Sequence, residues 1–185
     1  LGYFVGDNNT PNTMRAREYN RFRSMAQAQR DEHRILDICP FCGEKTVHIN
    51  ADETRARLVH YCDNPECPSQ GDLPLYIVDS EIYRYLPSAI ISTVDKLAIV
   101  GCNANFRNLL NGAEYQCPAH GYTSKKQCIE KGCNVEVQDY KKVDMYDPAP
   151  TLFIQDELHL IRESLGTYAS HYESFIKYFI KNVSK

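Results

Sequence analysis

Residues 151–159 read TLFIQDELH, an apolar run that ends in adjacent carboxylates. The run predicts a short buried strand over 151–155 that ends at Asp156. In a nucleoside triphosphatase, an acid at such a strand end reaches the Mg²⁺ on the phosphates, and the next acid, here Glu157, orients or deprotonates the attacking water. The carboxyl ends of parallel strands are where such sheets bind ligands. The pattern alone is weak, because an exposed turn with Glu157 at a helix start has the same sequence.

A second apolar run, SAIISTV at residues 88–94, is rich in β-branched side chains and predicts another buried strand of a parallel sheet. Further strands are expected at 2–5 and 73–79. Helical segments separate these strands, so the predicted fold class is α/β. The predicted helices cover 13–36, begun by Asn12 or Thr13, then a short turn at 80–87, and a long helix that starts at Ser164.

The long final helix carries an apolar stripe at helical spacing. Such a stripe is typical of a core or domain-contact surface and not of a cofactor site. Its members are Tyr168, Tyr172, Phe175, Ile176, Phe179 and Ile180.

Eight cysteines occur among 185 residues, mostly as short-spaced pairs, and nothing in the sequence indicates export. This favours metal binding in a reducing cytoplasm over disulfides. No apolar run is long enough to predict a membrane span. The net charge is −3, so any contact with nucleic acid has to be local.

The first cysteine cluster is typical of a zinc ribbon. Cys39 and Cys42 are separated by two residues and are followed by Gly43, which allows a tight left-handed turn. Cys62 and Cys67 form the second half-site, and the stretch between the halves predicts a hairpin. Four thiolates close the coordination shell of a zinc ion, which predicts a structural role. His48 and His60 lie nearby and are interpreted as ordinary hairpin residues.

The second cluster has the same spacing with a histidine in the second place. Cys117 and His120 are followed by Cys128 and Cys133, which predicts a second structural zinc ion. Cys102 is an alternative ligand in place of His120, although a free thiol is the favoured interpretation.

Two groups of basic side chains are candidates for phosphate contact. Both are more often solvated surface than binding sites, and that interpretation is favoured here. They are Arg15, Arg17, Arg21 and Arg23 on the first helix, and Lys125, Lys126 and Lys131 in the second cluster.

Two motifs resemble those of superfamily-two helicases. The DELH sequence at 156–159 resembles the DEAD/DEAH-type box, motif II, and IISTVDKLA at 90–98 resembles motif Ib. Longer stretches are similar to the helicases of the bacterial anti-phage DISARM system, in which cysteine-rich insertions interrupt the first RecA-like domain. The resemblance covers 73–100 and 150–175, and the zinc segments match in placement more than in sequence. The longer stretches are EIYRYLP (81–87), STVDK (92–96), QDELHLI (155–161), LGT (165–167) and Tyr172-Glu173.

This resemblance implies a role for individual residues. Asp156 would bind Mg²⁺ with ATP, Glu157 would be the catalytic carboxylate, and His159 would couple the nucleotide site to the nucleic-acid site. Thr93, together with Lys96, would contact the sugar-phosphate backbone. It also implies single-stranded or duplex DNA as partner, with RNA left open, as well as other helicase domains and defence-system subunits, all in the cytoplasm.

The chain departs from the family in containing no G-x-x-x-x-G-K-[ST] loop. We therefore expect that loop before Leu1 and a second RecA-like domain after Lys185, and expect the 185 residues alone not to hydrolyse ATP. The implied architecture is a partial RecA-like parallel sheet with two inserted zinc modules. Its segments are a strand and charged helix (1–36), the first zinc ribbon (37–72), core strands with the motif Ib-like stretch (73–100), the second zinc insertion (101–147), and the DELH strand with the long helix (148–185).

Two other functions remain open on the sequence. A stand-alone zinc-ribbon module would bind nucleic acid or protein without ATPase activity. A structural or docking segment would use its zinc ions only to hold a long loop together. The paired acids after a buried strand favour the helicase over both alternatives, because neither alternative needs them.

Overall fold

The computed structural model describes residues 1–5, 10–93, 96, 102–145, 152–156 and 163–183. Within these ranges one parallel sheet and two antiparallel sheets combine with helices, so the predicted α/β class is confirmed. The elements are β1 (Gly2–Phe4), α1 (Ala16–Ser24), α2 (Gln27–Asp31), β2 (Val47–Asp52), β3 (Arg57–Cys62), α3 (Asp79–Tyr85), β4 (Ala89–Thr93), a 3-10 helix (Ala104–Leu110), β5 (Tyr115–Cys117), β6 (Gly121–Thr123), a 3-10 turn (Val137–Asp139), β7 (Lys141–Lys142), β8 (Leu152–Asp156) and α4 (Glu163–Val183).

The parallel sheet has the strand order β1-β4-β8, with β4 between the other two strands. Both apolar runs therefore form strands where the sequence predicts them. The expectation that the last strand is buried is wrong for two of its side chains, since Leu152 and Ile154 are 50% and 44% exposed. Within the described sheet β8 is an edge strand that pairs only with β4.

The strand predicted over 73–79 forms only in part. The amide of Tyr3 donates to the carbonyl of Tyr76, and the amide of Tyr76 donates to the carbonyl of Leu1. A single parallel bridge joins Gly2 and Tyr76. The amino group of Leu1 also donates to the carbonyl of Pro74 at 2.7 Å, which extends this contact by one hydrogen bond.

The single helix predicted over 13–36 is two helices, because Met25 and Ala26 adopt extended backbone. The first helix starts after Arg15 and not after Asn12 or Thr13. Since α2 turns away from α1, the carboxylate of Asp31 reaches β2 and accepts the amide of Ile49 at 3.1 Å.

The β2–β3 hairpin packs on α1 through a core of buried apolar side chains. This cluster draws residues from three of the segments predicted from sequence, so the first ribbon is part of the main body of the fold. Its buried members are Met14, Tyr19, Phe22, Ile49, Ala51, Ala56, Leu58, Leu75, Ile77 and Val78.

A second core lies between the parallel sheet, α3 and the first 3-10 helix. It places the segment that leads into the second cysteine cluster directly on α3. Its buried members are Phe4, Ile82, Tyr83, Ile90, Phe106, Leu109 and Leu110.

Arg84 on α3 joins the two cysteine-rich modules. Its side chain is fully buried, and its guanidinium donates to the carbonyls of Arg55 and Ala56 in the first hairpin at 3.1 and 2.6 Å. The same guanidinium donates to the carbonyl of His120 at 3.0 Å and lies 3.7 Å from the carboxylate of Glu130. A planar fork of N–H donors suits this contact with several carbonyls at once.

We expect Arg84→Met to lower the free energy of unfolding by about 2–4 kcal/mol, because it removes the donors of a fully buried guanidinium and the ion-pair partner of the half-buried Glu130. The carbonyls of Ala56 and Arg55 keep the hydroxyls of Tyr19 and Tyr85 as donors. Urea denaturation of the zinc-bound protein measures the change. Arg107→Met is the matched control, since the side chain of Arg107 is 52% exposed and its ion pair with Glu114 spans 3.9 Å. An equal loss in both variants would contradict the role given to Arg84.

Candidate metal centres and the strand-end site

The structure brings the first four predicted metal ligands together. Their sulfur atoms all lie within 4.8 Å of one another, with Cys39 and Cys67 at 3.6 Å and Cys42 and Cys62 at 3.8 Å. The amide of Gly43 donates to the carbonyl of Cys39 and closes the knuckle turn. Gly43 has a φ of +77°, the left-handed conformation that this turn requires.

These distances fit a tetrahedral zinc ion. Zinc–sulfur bonds of about 2.3 Å at tetrahedral angles separate the sulfurs by about 3.8 Å. A disulfide would bring two sulfurs to about 2.0 Å, and all eight cysteines are free thiols. The first group is therefore able to hold a metal ion, and its four soft donors suit zinc in a closed, structural shell.

Two thiols of the first group, Cys62 and Cys67, have pKa values that are shifted in opposite directions. The hydroxyl of Ser69 lowers the pKa of Cys67 to about 7. The hydroxyl of Thr46 lowers the pKa of Cys62, but burial and the neighbouring thiols outweigh it and raise that pKa to about 11. A divalent cation would favour the deprotonated form of both thiols, because it stabilises all four sulfurs as thiolates.

The two histidines near the first group lie outside it. His48 bridges two carboxylates, with Nδ1 at 2.8 Å from Asp31 and Nε2 at 3.1 Å from Asp63. His60 is fully buried and accepts the amide of Ile35 through Nε2. Burial lowers the pKa of His60 to about 4, so its ring is a neutral core group. Both positions agree with the interpretation of these histidines as hairpin residues.

The second four predicted ligands also converge. In Cys117, His120, Cys128 and Cys133 the ligand atoms lie within 4.8 Å of one another. The sulfur of Cys117 is 3.8 Å from Nδ1 of His120 and 3.7 Å from the sulfur of Cys133. Burial and the nearby Arg84 lower the pKa of His120, which favours the neutral imidazole that binds metal. Cys102 is exposed and is not part of this group.

A short three-stranded sheet with the order β6-β5-β7 supports the second group. The turn between β5 and β6 carries His120 and passes so close to α3 that a Cβ on Gly121 would lie 2.6 Å from the carbonyl oxygen of Arg84. Glycine at this position, with its φ of +92°, lets the metal-binding turn sit on α3. The sequence signals the ligands but not this sheet, because its strands have only two or three residues.

We expect the purified protein to contain two zinc ions per chain, because each tetrad has the donors and the spacing for one ion. Mass spectrometry under non-denaturing conditions, together with elemental analysis, measures the stoichiometry. A single zinc ion, or none in a protein with all eight thiols reduced, would contradict this expectation.

The strand-end residues named from the motif Ib-like stretch are both buried. Thr93 is the last residue of β4, and its hydroxyl has no hydrogen-bond partner in the described part of the chain. Lys96 is 2% exposed, and its ammonium donates to Asp79 at 2.8 Å and to Asn12. In this conformation Lys96 is an internal ion-pair partner, and its contact with nucleic acid remains a prediction.

The acidic box lies mostly outside the described residues. Glu157 and His159 are not among them, and Asp156 is described through its backbone as the last residue of β8. The register pairs Asp156 directly with Thr93, so both residues end neighbouring strands at the same edge of the sheet.

Among the described residues, no helix is both long and apolar enough to cross a membrane.

The chain is similar to a known bacterial protein. The DISARM protein DrmA of Bacillus paralicheniformis is 32% identical to this chain over an alignment of 189 positions. The alignment covers 96% of the chain but only 17% of the relative, so the chain corresponds to a segment of a much longer protein. No family model matches the chain. The chain is thus similar in sequence to a segment of a DISARM protein.

Proposed function

We propose that this chain forms the part of an ATP-dependent nucleic-acid helicase that carries the acidic box and two structural zinc insertions, and that the intact protein acts in anti-phage defence. The observation that carries the defence role is the similarity to DISARM protein DrmA across 96% of the chain. The helicase part rests on the resemblance of DELH at 156–159 and IISTVDKLA at 90–98 to helicase motifs.

The arrangement of the parallel sheet supports the helicase proposal. Parallel α/β sheets bind ligands beyond the carboxyl ends of their strands, and Thr93 and Asp156 occupy that edge side by side. A backbone contact at Thr93 and a Mg²⁺ ligand at Asp156 would then be one strand apart. Such proximity would let bound nucleic acid influence the geometry of ATP hydrolysis.

The zinc ions have a structural role in this proposal. Each tetrad uses four protein donors, which leaves no position for an activated water. The first tetrad ties the ends of the β2–β3 hairpin, and the second fixes the turn that rests on Arg84. Both modules therefore serve to hold the surfaces around α3 in place.

A zinc-ribbon binding module without ATPase activity is the second candidate. It is favoured by two apolar side chains at the first knuckle, Ile38 and Phe41, which are 51% and 49% exposed. Such a module would bind its partner equally well with or without ATP.

The test is the ATPase rate of the full-length zinc-bound protein with and without single-stranded DNA, RNA and duplex DNA. The helicase proposal predicts hydrolysis that nucleic acid stimulates, and ATP-dependent displacement of a labelled strand. Nucleic-acid binding without any ATP hydrolysis would overturn it in favour of the binding module.

A further inference from the structure

A cavity of about 310 Å³ lies where the segment before α1, the start of α3, the first 3-10 helix and the second metal module meet. Its volume is at the lower end of the range for small-molecule pockets, about 300–1,000 Å³, so it has room for one group the size of a nucleoside. Its walls include Asn12, Met14, Arg15, Asn105, Ile129 and Lys131.

The acidic groups of this cavity are already neutralised. Asp79 is paired with the ammonium of Lys96 at 2.8 Å. Glu130 lies 3.7 Å from the guanidinium of Arg84. Neither carboxylate therefore repels an anion that enters the cavity.

The basic side chains of the cavity have no such ion-pair partners within the described residues. Within the described residues, the side chains of Arg15 and Lys131 make no ion pair or hydrogen bond, and they come from two different segments. The amide of Asn105 likewise has no side-chain hydrogen bond there, and it offers both a donor and an acceptor. Met14 and Ile129 supply apolar wall.

The cavity also adjoins the strand-end site. Asn12 and Asp79 line the cavity and at the same time hold the ammonium of Lys96. Lys96 lies three residues beyond Thr93, the end of β4. A nucleic-acid backbone at Thr93 would therefore pass close to the cavity mouth.

We propose that this cavity receives one unstacked nucleoside of a single-stranded nucleic acid, with Arg15 and Lys131 binding the adjacent phosphates. The proposal rests on the proposed nucleic-acid function of the intact protein. The base would pack on Met14 and Ile129, and the amide of Asn105 would hydrogen-bond its edge. An amide can pair with the edge of any base, so the site would favour single strands without strong sequence preference.

The experiment uses the full-length zinc-bound protein without ATP and a short oligothymidylate that carries one 2-aminopurine. Wild-type binding should increase the fluorescence, because the probe base leaves its stack. The double variant Arg15→Ala/Lys131→Ala should weaken affinity about tenfold and flatten the salt dependence of log K by about 0.7 per lost phosphate contact. Asn105→Leu should reduce the fluorescence change while the salt dependence stays as in wild type.

The matched control is Arg17→Ala/Lys125→Ala, which removes the same charges from the same two segments outside the cavity. Zinc content and the unfolding temperature check that each variant is folded. The proposal is overturned if the control loses as much affinity as the cavity variant, or if the fluorescence change persists in all variants. It is also overturned if free thymidine monophosphate binds as tightly as the oligonucleotide, which would make the cavity a mononucleotide site.

The two proposals fail in different ways. If the cavity variants keep normal oligonucleotide binding and nucleic-acid-stimulated ATPase, the cavity proposal fails and the helicase proposal stands. If the wild-type protein binds no oligonucleotide, both fail.

Discussion

Glu157→Gln in the full-length protein is expected to lower the steady-state rate of ATP hydrolysis roughly 100-fold or more, while ATP binding and nucleic-acid binding persist. Glu157 follows an apolar strand and comes directly after Asp156, the proposed Mg²⁺ ligand. A carboxylate at this position orients or deprotonates the attacking water. Glutamine keeps the shape of the side chain but removes its basicity.

Two neighbouring substitutions separate the proposed roles within the acidic box. Asp156→Asn is expected to weaken binding of the Mg²⁺–nucleotide complex, because it removes a charge from the metal shell. His159→Ala is expected to retain part of the basal hydrolysis and to lose much of the stimulation by single-stranded DNA. If Glu157→Gln hydrolyses ATP at close to the wild-type rate, the DELH stretch is only a strand end and helix start, and the zinc-ribbon module becomes the better explanation.

The strands of the parallel sheet are predictable from the sequence because their signal is local. The runs at 88–94 and 151–155 are short, apolar and rich in β-branched or aromatic residues, and both form strands. Their parallel register is not local, since it pairs Thr93 with a residue more than sixty positions away. The resemblance to helicase motifs predicts that these two strand ends lie close together, whereas the hydrophobic pattern alone does not.

The break between α1 and α2 has no local signal. Residues 13–36 contain neither glycine nor proline, and most of them are good helix formers. Tertiary contacts decide the break, because Tyr19 and Phe22 pack into the hairpin core while Asp31 has to reach His48 and the β2 backbone. Propensity is a weak preference that such contacts outweigh.

Arg84 shows what the sequence conceals about the site. In the stretch EIYRYLP it resembles an ordinary helical arginine, and only the fold shows that carbonyls from both metal modules converge on it. The position of Lys96 was equally hidden. A lysine three residues after a strand end is usually solvated, but here its partners come from α3 and from the segment before α1.

The metal ligands, in contrast, follow largely from the spacing of the cysteines. Two short half-sites with a hairpin between them leave little freedom for the four donors, and both tetrads close in three dimensions. Spacing did not decide between His120 and Cys102. In the described residues the fold selects His120, because the β5–β6 turn places it beside Cys117 while Cys102 is exposed.

The second large effect is expected for Cys39→Ser, which should remove one of two zinc ions and unfold mainly residues 37–72. Cys39 is fully buried at the centre of the first tetrad, and a serine hydroxyl is a poor zinc ligand. The binding energy of a structural zinc ion is folding energy, about 10–16 kcal/mol in small zinc domains, and this module buries few apolar side chains of its own around the metal. Its hairpin also supplies Ile49 and Leu58 to the main core, so α1 should lose part of its protection.

Hydrogen exchange with mass spectrometry, read beside the zinc stoichiometry, tests this expectation. Cys102→Ser is the matched control, because Cys102 is an exposed thiol outside both tetrads and should keep two zinc ions and the wild-type exchange pattern. Cys117→Ser should lose the other ion and expose the β5–β6 turn instead, with the first ribbon still protected. Loss of both ions from Cys39→Ser alone would mean that the two centres fold as one unit through Arg84. Retention of both ions would mean that Cys39 is not a ligand.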